Sequence, residues 1–154
     1  MFFLKKKWNF MNLFVIVGFL NATIAFAELA ILTTAPNVPP IIKRDKAETV
    51  VIKLQAKEYV GNLTKDVKYG FWSFGGTVPG PMARLRVGDS IEFHLSNEKN
   101  NIQPHNIDIH AVNGPGGGAL FTTVDPGSEK VFTFEAKAAG LFIYHCAAGS
   151  IVDH

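Results

Sequence analysis

Residues 90–96 have the sequence Ser-Ile-Glu-Phe-His-Leu-Ser, in which apolar and polar side chains alternate. Because successive side chains of a β-strand point to opposite faces, Ile91, Phe93 and Leu95 would share one face of such a strand. The alternation therefore predicts a strand with one face in a hydrophobic core. His94 falls on the other face, and the simplest interpretation makes it a solvated surface residue.

Short segments of the same kind lie on both sides of this strand. Turns containing glycine or proline separate them, and no convincing 3.6-residue periodicity follows residue 28. The segments are 49–57, 68–74, 84–87, 107–109, 131–135 and 141–146, with turns at 75–76, 79–81, 88–89 and 126–127. Several short strands divided by turns predict an all-β protein, a Greek-key sandwich or barrel. The glycines at 116–118 are interpreted as a further turn, because no helix is expected after them.

The first 27 residues have the features of a signal peptide. Residues 5–7 are lysines, 11–24 are mostly apolar, and 25–27 (Ala-Phe-Ala) match the small-x-small cleavage pattern. We therefore expect cleavage after Ala27 and export to the periplasm. The alternative is an uncleaved membrane anchor, for which the apolar stretch is short, since a span needs about 20 residues.

The remainder divides into an N-terminal arm at 28–47 and one domain at 48–154. Pro36, Pro39 and Pro40 argue against regular structure in the arm. Three of the 15 basic residues and none of the 13 acidic residues precede residue 28, which leaves 12 basic and 13 acidic side chains. This balance gives no electrostatic footprint for nucleic acid. No closing strand precedes the last residue, His154, so we expect the domain to be incomplete at its C-terminus.

Cys146 is the single cysteine of the chain. It cannot form an internal disulfide, so in an oxidising compartment we expect it to be either inert in a core or bound to a metal. Four of the five histidines lie in the same part of the sequence, after residue 104. A cysteine and several histidines close together in the sequence make metal binding the hypothesis to test.

Strand parity sorts these residues into two sets. The segments are 104–110, Pro-His-Asn-Ile-Asp-Ile-His, and 142–146, Phe-Ile-Tyr-His-Cys. His105 would face inward with the isoleucines, whereas Asp108 and His110 would face outward. Cys146 and His145 would likewise face opposite ways. The inward pair is thus His105 with Cys146, and the outward pair is His110 with His145.

The two sets suit different metal chemistry. With His154, the inward pair makes two histidines and one thiolate, the ligand set of blue-copper sites, in which a weak thioether is the usual axial ligand. The outward pair offers nitrogen donors, which suit a catalytic copper or zinc ion with open positions. Asp108 beside it could transfer a proton or hold a bound water. A lone buried histidine or cysteine is more often an ordinary core residue, so the joint pattern carries the hypothesis.

At these residues the sequence resembles the first cupredoxin domain of copper-containing nitrite reductases, over nearly all of the chain after residue 27. The matching stretches are 76–81 (Gly-Thr-Val-Pro-Gly-Pro), 86–89 (Arg-Val-Gly-Asp), 104–110, 125–127 (Asp-Pro-Gly) and 140–146 (Gly-Leu-Phe-Ile-Tyr-His-Cys). The resemblance implies a type 1 copper at His105, Cys146 and His154. It implies a type 2 copper at His110 and His145.

The resemblance also implies a reaction. Nitrite would bind at the type 2 copper and be reduced to nitric oxide, with Asp108 delivering a proton and the peptide bond between His145 and Cys146 serving as the electron route. A cupredoxin or cytochrome c would donate the electrons. In this family the axial methionine lies beyond the position of His154, and the third type 2 histidine belongs to a second domain across the subunit interface of a homotrimer. We therefore expect this chain to be the N-terminal part of such an enzyme and inactive alone.

Two other functions stay open at this point. A single-domain cupredoxin electron carrier would explain the length but leaves Asp108, His110 and His145 without a role. A two-domain multicopper oxidase would place a His-x-His pair for a trinuclear cluster in this region, whereas His105 and His110 are five positions apart.

Overall fold

A computed structural model describes residues 27–149 of this chain. Nearly all of the predicted signal peptide, and His154, lie outside the described residues. Within the described range the chain forms nine strands, one short helix and a 3-10 turn. They are β1 (Glu28–Leu29), β2 (Leu32–Thr33), β3 (Thr49–Thr64), β4 (Val67–Phe74), β5 (Met82–Ala83), β6 (Ser90–Asn97), β7 (Asp108–Ile109), the 3-10 turn Pro115–Gly118, α1 (Ala119–Thr122), β8 (Glu129–Glu135) and β9 (Tyr144–His145). No helix in this range is long and apolar enough to cross a membrane.

A five-stranded sheet forms the centre of the fold. Its strands run in the order β1-β3-β6-β8, and β4 pairs with β3 as a hairpin. The β3–β6 pair is parallel and the β6–β8 pair antiparallel. Two small antiparallel pairs, β2–β5 and β7–β9, complete the described strands. The predicted all-β fold class is confirmed.

The core lies on one face of the central sheet. Ile91, Phe93 and Leu95 are at most 3% exposed, so the predicted strand has the buried face that its alternation indicated. The first half of β3 alternates in the same way between buried and less buried side chains. Ile107 and Val124, which adjoin the predicted inward site, belong to the same core cluster. The core therefore supports that site directly.

His94 is not the solvated residue that parity predicted. Its Nδ1 lies 2.8 Å from a Glu129 carboxylate oxygen, its Nε2 lies 2.8 Å from one of Glu92, and its side chain is 17% exposed. The hydrogen bonds with Glu129 and Glu92 raise the pKa of His94 against the opposing effect of burial. The prediction was wrong because alternation within β6 places Glu92 on the same face as His94 but does not identify Glu129, its neighbour on β8.

Strand bounds differ most from the prediction in β3 and β9. β3 runs on to Thr64, because β4 continues to pair with it beyond the core. Tyr59 and Phe71 stack there with ring centroids 5.3 Å apart. β9 is shorter than the predicted 141–146 and contains only Tyr144–His145, since β7 offers it only two partner residues.

The arm contains short strands that its prolines did not predict. β1 pairs with β3, and β2 pairs with β5. The amide of Ala30 also donates a hydrogen bond to the carbonyl of Val51 at 2.8 Å. Residues 36–40 lie outside both strands, so the prolines act only locally.

The glycine-rich turn also differs from the prediction, because helix α1 follows it. The side chain of Thr122 at the end of α1 is fully buried and donates a hydrogen bond to the Ile107 carbonyl at 3.3 Å. The amide of Ile107 donates to the same hydroxyl at 3.1 Å. The helix thus fastens the segment between the two predicted sites.

One ion pair fastens the arm to the domain. The carboxylate oxygens of the fully buried Asp89 accept hydrogen bonds from Nη1 and Nη2 of Arg44, each at 2.6 Å. The amides of Glu48 and Arg86 donate to the same carboxylate. Burial alone would raise the pKa of Asp89, but these donors, Arg44 first, outweigh burial and hold the pKa below its ordinary value.

Replacing Asp89 with Asn should lower the free energy of unfolding by about 3 kcal/mol, because Arg44 loses its buried counter-ion. Urea unfolding at pH 7 measures the change. Glu28→Gln is the matched control: Glu28 also binds Arg44 but is 51% exposed, so its loss should cost less than about 1 kcal/mol.

The stability difference between wild type and Asp89→Asn should also depend on pH. Because the folded-state pKa of Asp89 is lowered, its contribution is complete above the unfolded value of about 3.9. It should be lost as the pH falls through the lowered pKa. If the Asp89→Asn variant had the same free energy of unfolding as wild type at pH 7, the stabilising role of the Arg44–Asp89 ion pair would be contradicted.

Candidate metal centres

Pairing of β7 with β9 brings the predicted outward residues together. Asp108 lies opposite His145, and Ile109 lies opposite Tyr144. The amide of His110 extends the ladder by donating to the carbonyl of residue 143 at 3.1 Å. Directly opposed residues have neighbouring side chains on one face, so this short ladder determines which side chains meet.

Three side chains at this ladder form one compact donor group. His110 Nε2 lies 3.2 Å from His145 Nε2. The ligand atoms of Asp108, His110 and His145 all lie within 4.8 Å of one another. Both imidazoles are exposed, and Asp108 is half-buried. The group is therefore open to an ion or a small molecule from outside.

A backbone carbonyl selects the tautomer of the neutral His145 ring. Its Nδ1 lies 2.9 Å from the carbonyl oxygen of Cys146. Because a carbonyl only accepts hydrogen bonds, Nδ1 carries the proton when the ring is neutral. The lone pair of the neutral ring is then on Nε2, the atom that faces His110.

The two side chains of the predicted inward pair meet, and Cys146 is half-buried. His105 is 2% exposed, and its backbone exchanges hydrogen bonds of 3.1 and 2.8 Å with Val124. Its Nδ1 lies 3.7 Å from the Sγ of Cys146. Trp72 packs edge-on against the imidazole, with ring centroids 5.4 Å apart. The geometry leaves Nδ1 as the atom of His105 that faces the thiol.

Asn106 joins the two segments that carry the inward donors, which parity did not predict. Its Oδ1 accepts a hydrogen bond of 2.7 Å from the amide of Ala147 and lies 3.8 Å from the Sγ of Cys146. Strict alternation would place Asn106 outward, yet the residue is 6% exposed. The reason is that β7 begins only at Asp108, so residues 105–107 do not follow regular strand geometry.

Glu58 of β3 supplies the second contact of His105, which the sequence did not predict either. Its Oε1 lies 3.0 Å from Nε2 of His105. Burial alone would lower the pKa of His105, but the hydrogen bonds with Cys146 and Glu58 outweigh it and raise the pKa. The two residues are 47 positions apart in the sequence. The sequence signal that could have indicated Glu58 was its charge, directly after the predicted strand 49–57.

Tyr144 anchors β9 to the turn at 79–81. Its hydroxyl donates a hydrogen bond of 2.7 Å to the carbonyl of Pro81. Its ring packs edge-on against Phe74, with centroids 5.6 Å apart. Burial raises the pKa of Tyr144 to about 12, so the hydroxyl keeps its proton at neutral pH. The residues that follow, His145 and Cys146, are thereby held in place.

Both groups fit a transition-metal ion. Bonds of about 2.0 Å to nitrogen and 2.3 Å to sulfur, as in zinc sites, let one ion reach both atoms of either pair. Thiolate with imidazole suits copper, and imidazoles with a carboxylate suit copper or zinc. The assignment of a metal to these residues, with His154 as a further inward ligand, stays a prediction.

A family model described as multicopper oxidase matches residues 55–151. The chain belongs to the multicopper oxidase family. The curated relatives of this multicopper oxidase domain are copper-containing nitrite reductases. The copper-containing nitrite reductase of Neisseria meningitidis serogroup A is 43% identical over 125 residues, 81% of this chain and 32% of that protein. The copper-containing nitrite reductase of Alcaligenes xylosoxydans xylosoxydans is 48% identical over 80 residues, 52% of this chain and 24% of that protein.

Solved structures give the same picture. The copper nitrite reductase from Nitrosomonas europaea aligns with a TM-score of 0.60 and 38% identity, over 66% of this chain and 35% of that chain. A blue copper oxidase from the same organism aligns with a TM-score of 0.57 at 24% identity, over 66% of this chain and 33% of that chain, which shows the fold alone. The predicted cupredoxin-like fold of this multicopper oxidase domain is confirmed. The chain spans about one third of the length of the Neisseria relative.

The glycine turn gives a test of how the outward group is held. A Cβ on Gly117 would clash with Asp108 Oδ1 and with the backbone of Ile109, whereas one on Gly116 would meet only Ala119 at 3.7 Å. Gly117→Ala should therefore displace the carboxylate together with the β7 backbone that leads into His110, and so weaken Cu²⁺ binding at the outward group by about 10-fold or more. Titration of each purified variant measures the affinity.

Gly116→Ala is the matched control for this experiment. Gly116 and Gly117 have φ angles of +64° and +47°, so both substitutions strain the backbone in the same way. Only Gly117→Ala adds the contacts with Asp108 and with the backbone of Ile109. An equal loss of Cu²⁺ affinity in both variants would show that these contacts do not matter.

Proposed function

We propose that this chain is part of a copper-dependent enzyme that reduces nitrite to nitric oxide. One observation carries the proposal. His145, the last residue of β9, and Cys146, which follows it, belong to two different donor groups. Cys146 Sγ lies 3.7 Å from His105 Nδ1, and His145 Nε2 lies 3.2 Å from His110 Nε2. The names of the relatives described above support the same activity.

Each donor group has its own role in the proposal. His105 and Cys146, with His154, would hold a type 1 copper, and His110 and His145 would hold a type 2 copper. Bound copper would supply one-electron redox chemistry at the first site and a substrate-binding Lewis acid at the second. One peptide bond joins His145 to Cys146, so the chain itself offers a short covalent route for an electron between the sites.

Asp108 is placed to handle protons. Reduction of nitrite to nitric oxide and water consumes one electron and two protons. The Asp108 carboxylate lies within 4.8 Å of the ligand atoms of His110 and His145, close enough to contact a small anion bound there. A carboxylic acid at this position can donate a hydrogen bond to a nitrite oxygen and then transfer its proton.

The exposed surroundings of the outward group suit a partner. Both imidazoles are exposed, and four large apolar side chains of the nearby segments are at least 63% exposed. They are Leu120, Phe121, Leu141 and Ile143. Exposed apolar surface of this kind favours a protein interface. The resemblance supports a homotrimer in which a second domain of a neighbouring subunit adds the third histidine, and a cupredoxin or cytochrome c as electron donor in denitrification.

The two alternative functions explain less of the structure. An electron carrier needs only the inward pair and gives no role to the group of Asp108, His110 and His145. A trinuclear oxidase cluster needs a His-x-His pair, which the separate sites of His105 and His110 do not form. Reduction of nitrite uses both groups.

The proposed compartment is the periplasm. The lysines at 5–7 and the Ala-Phe-Ala sequence at 25–27 support export with cleavage after Ala27. Sequencing the N-terminus of the protein from a periplasmic fraction should give Glu28 as the first residue. A retained Met1 in the membrane fraction would favour the anchor instead.

Replacing Cys146 with Ala in the complete copper-loaded protein should abolish the intense visible absorption of a thiolate–copper bond. The second copper should remain bound, because its donors do not include the thiol. His110→Ala is the reciprocal variant: it should keep the colour and lose the second copper. Visible absorption with copper quantification measures both. Retained colour in Cys146→Ala would contradict the type 1 assignment and with it the proposed electron route.

Replacing Asp108 with Asn should lower kcat for nitrite by about 10²- to 10⁴-fold, the range for loss of a general acid. Both coppers should stay bound, because the amide is isosteric and His110 and His145 are unchanged. Asp66→Asn is the matched control, since Asp66 is exposed at the β3–β4 turn. An Asp108→Asn variant that matches the control in kcat would remove Asp108 from proton delivery.

A further inference from the structure

We propose that Glu58 is a positioning residue of the inward copper site, where its carboxylate holds the Nε2 proton of His105 and so directs Nδ1 at the metal. The inference deepens the proposed function and rests on it, because it concerns a ligand of the type 1 copper. Neither strand parity nor the family resemblance singled out Glu58.

The contact is direct and shielded from water. Glu58 Oε1 lies 3.0 Å from His105 Nε2, and the two side chains are 14% and 3% exposed. An ionised carboxylate only accepts hydrogen bonds, so Nε2 must be the protonated nitrogen. In the neutral ring the lone pair is then on Nδ1, which faces Cys146 Sγ at 3.7 Å. One hydrogen bond thus selects both the tautomer and the ring orientation that a metal ligand needs.

Glu58 is itself held rigidly. Its carboxylate accepts hydrogen bonds from the amides of Ile102 at 3.1 Å and Gln103 at 2.9 Å. Its own amide donates to Oδ1 of Asn101 at 2.8 Å. These bonds tie the carboxylate to the segment that leads into His105. The side chain therefore fixes the ligand and the backbone before it at the same time.

The second side of the imidazole is also closed. Trp72 of β4 lies opposite Glu58 of β3 in the sheet register. Its ring packs edge-on against His105, with centroids 5.4 Å apart. Two paired strands thus hold one imidazole, one by a charged hydrogen bond and one by an aromatic contact. Only the carboxylate contact carries charge.

That charge gives the proposal a property to measure. The carboxylate makes the imidazole a stronger donor and adds negative charge near the metal. Both effects favour the cupric over the cuprous state. Glu58 should therefore hold the type 1 reduction potential lower than it would be with a neutral hydrogen-bond acceptor at the same position.

The test compares Glu58→Gln and Glu58→Ala with wild type in the complete copper-loaded protein. Glu58→Gln keeps the shape and loses the charge, so the potential should rise and the visible band should shift while colour is retained. Glu58→Ala should also weaken type 1 copper binding by about 10- to 100-fold. Redox titration, absorption spectra and copper affinity are the measurements.

Glu98→Gln is the matched control. Glu98 is 29% exposed, and its carboxylate lies 3.6 Å from Nζ of Lys57, away from the imidazole of His105. A potential and affinity of Glu58→Gln and Glu58→Ala equal to those of Glu98→Gln would overturn the proposal. Failure of the proposed function would look different, because wild type itself would then lack the thiolate–copper band.

A copper-free measurement separates positioning from copper chemistry. In the wild-type apoprotein, ¹⁵N spectra of the neutral His105 ring should show the proton on Nε2, and in Glu58→Ala a mixture of tautomers. The Glu98→Gln spectrum should match wild type. A single Nε2–H form retained in Glu58→Ala would overturn the proposal even if the potential changed.

Discussion

Both candidate metal centres depend on the antiparallel pairing of Asp108 with His145. The β7–β9 ladder has only two residue pairs, yet it decides which side chains of the last described strand face which group. A slip of one residue would exchange the faces of His145 and Cys146. The hydrogen bond of 2.7 Å from the Tyr144 side chain to the Pro81 carbonyl adds a second constraint on the register, from outside the ladder.

The two groups differ in how their donors are held. At the inward pair, Glu58 bonds to the buried His105 and Asn106 lies against the half-buried Cys146, so neighbouring side chains hold both donors in place. At the outward group, both imidazoles are exposed, and the backbone carbonyl of Cys146 orients the ring of His145. A site whose donors are held in place suits electron transfer with little rearrangement, and an open site suits exchange of a small anion. The division of labour in the proposed function follows from this contrast.

The sequence predicted the features that alternation alone determines. The buried face of β6 and the grouping of the outward residues both follow from the two-residue period of a strand. The contacts of Glu58 with His105 and of His94 with Glu129 were not predictable in this way, because each joins segments far apart in the sequence whose relative register the sequence does not state. The role of Asn106 escaped prediction for a different reason: the two-residue period fails where residues 105–107 leave regular strand geometry. The length of β9 was overestimated because β7, with which it pairs, offers it only two residues.

The small size of the β7–β9 ladder has a thermodynamic consequence for metal loading. Donors of the outward group are 35 residues apart and those of the inward pair 41 residues apart, so neither group exists until β9 has docked. A segment held by few contacts is among the first to open locally. Any ion that binds the assembled groups but not the open segment stabilises the docked strand by linkage. Metal uptake and closure of the last described strand are therefore one equilibrium, and the occupancy of one site raises the population of the conformation that the other requires.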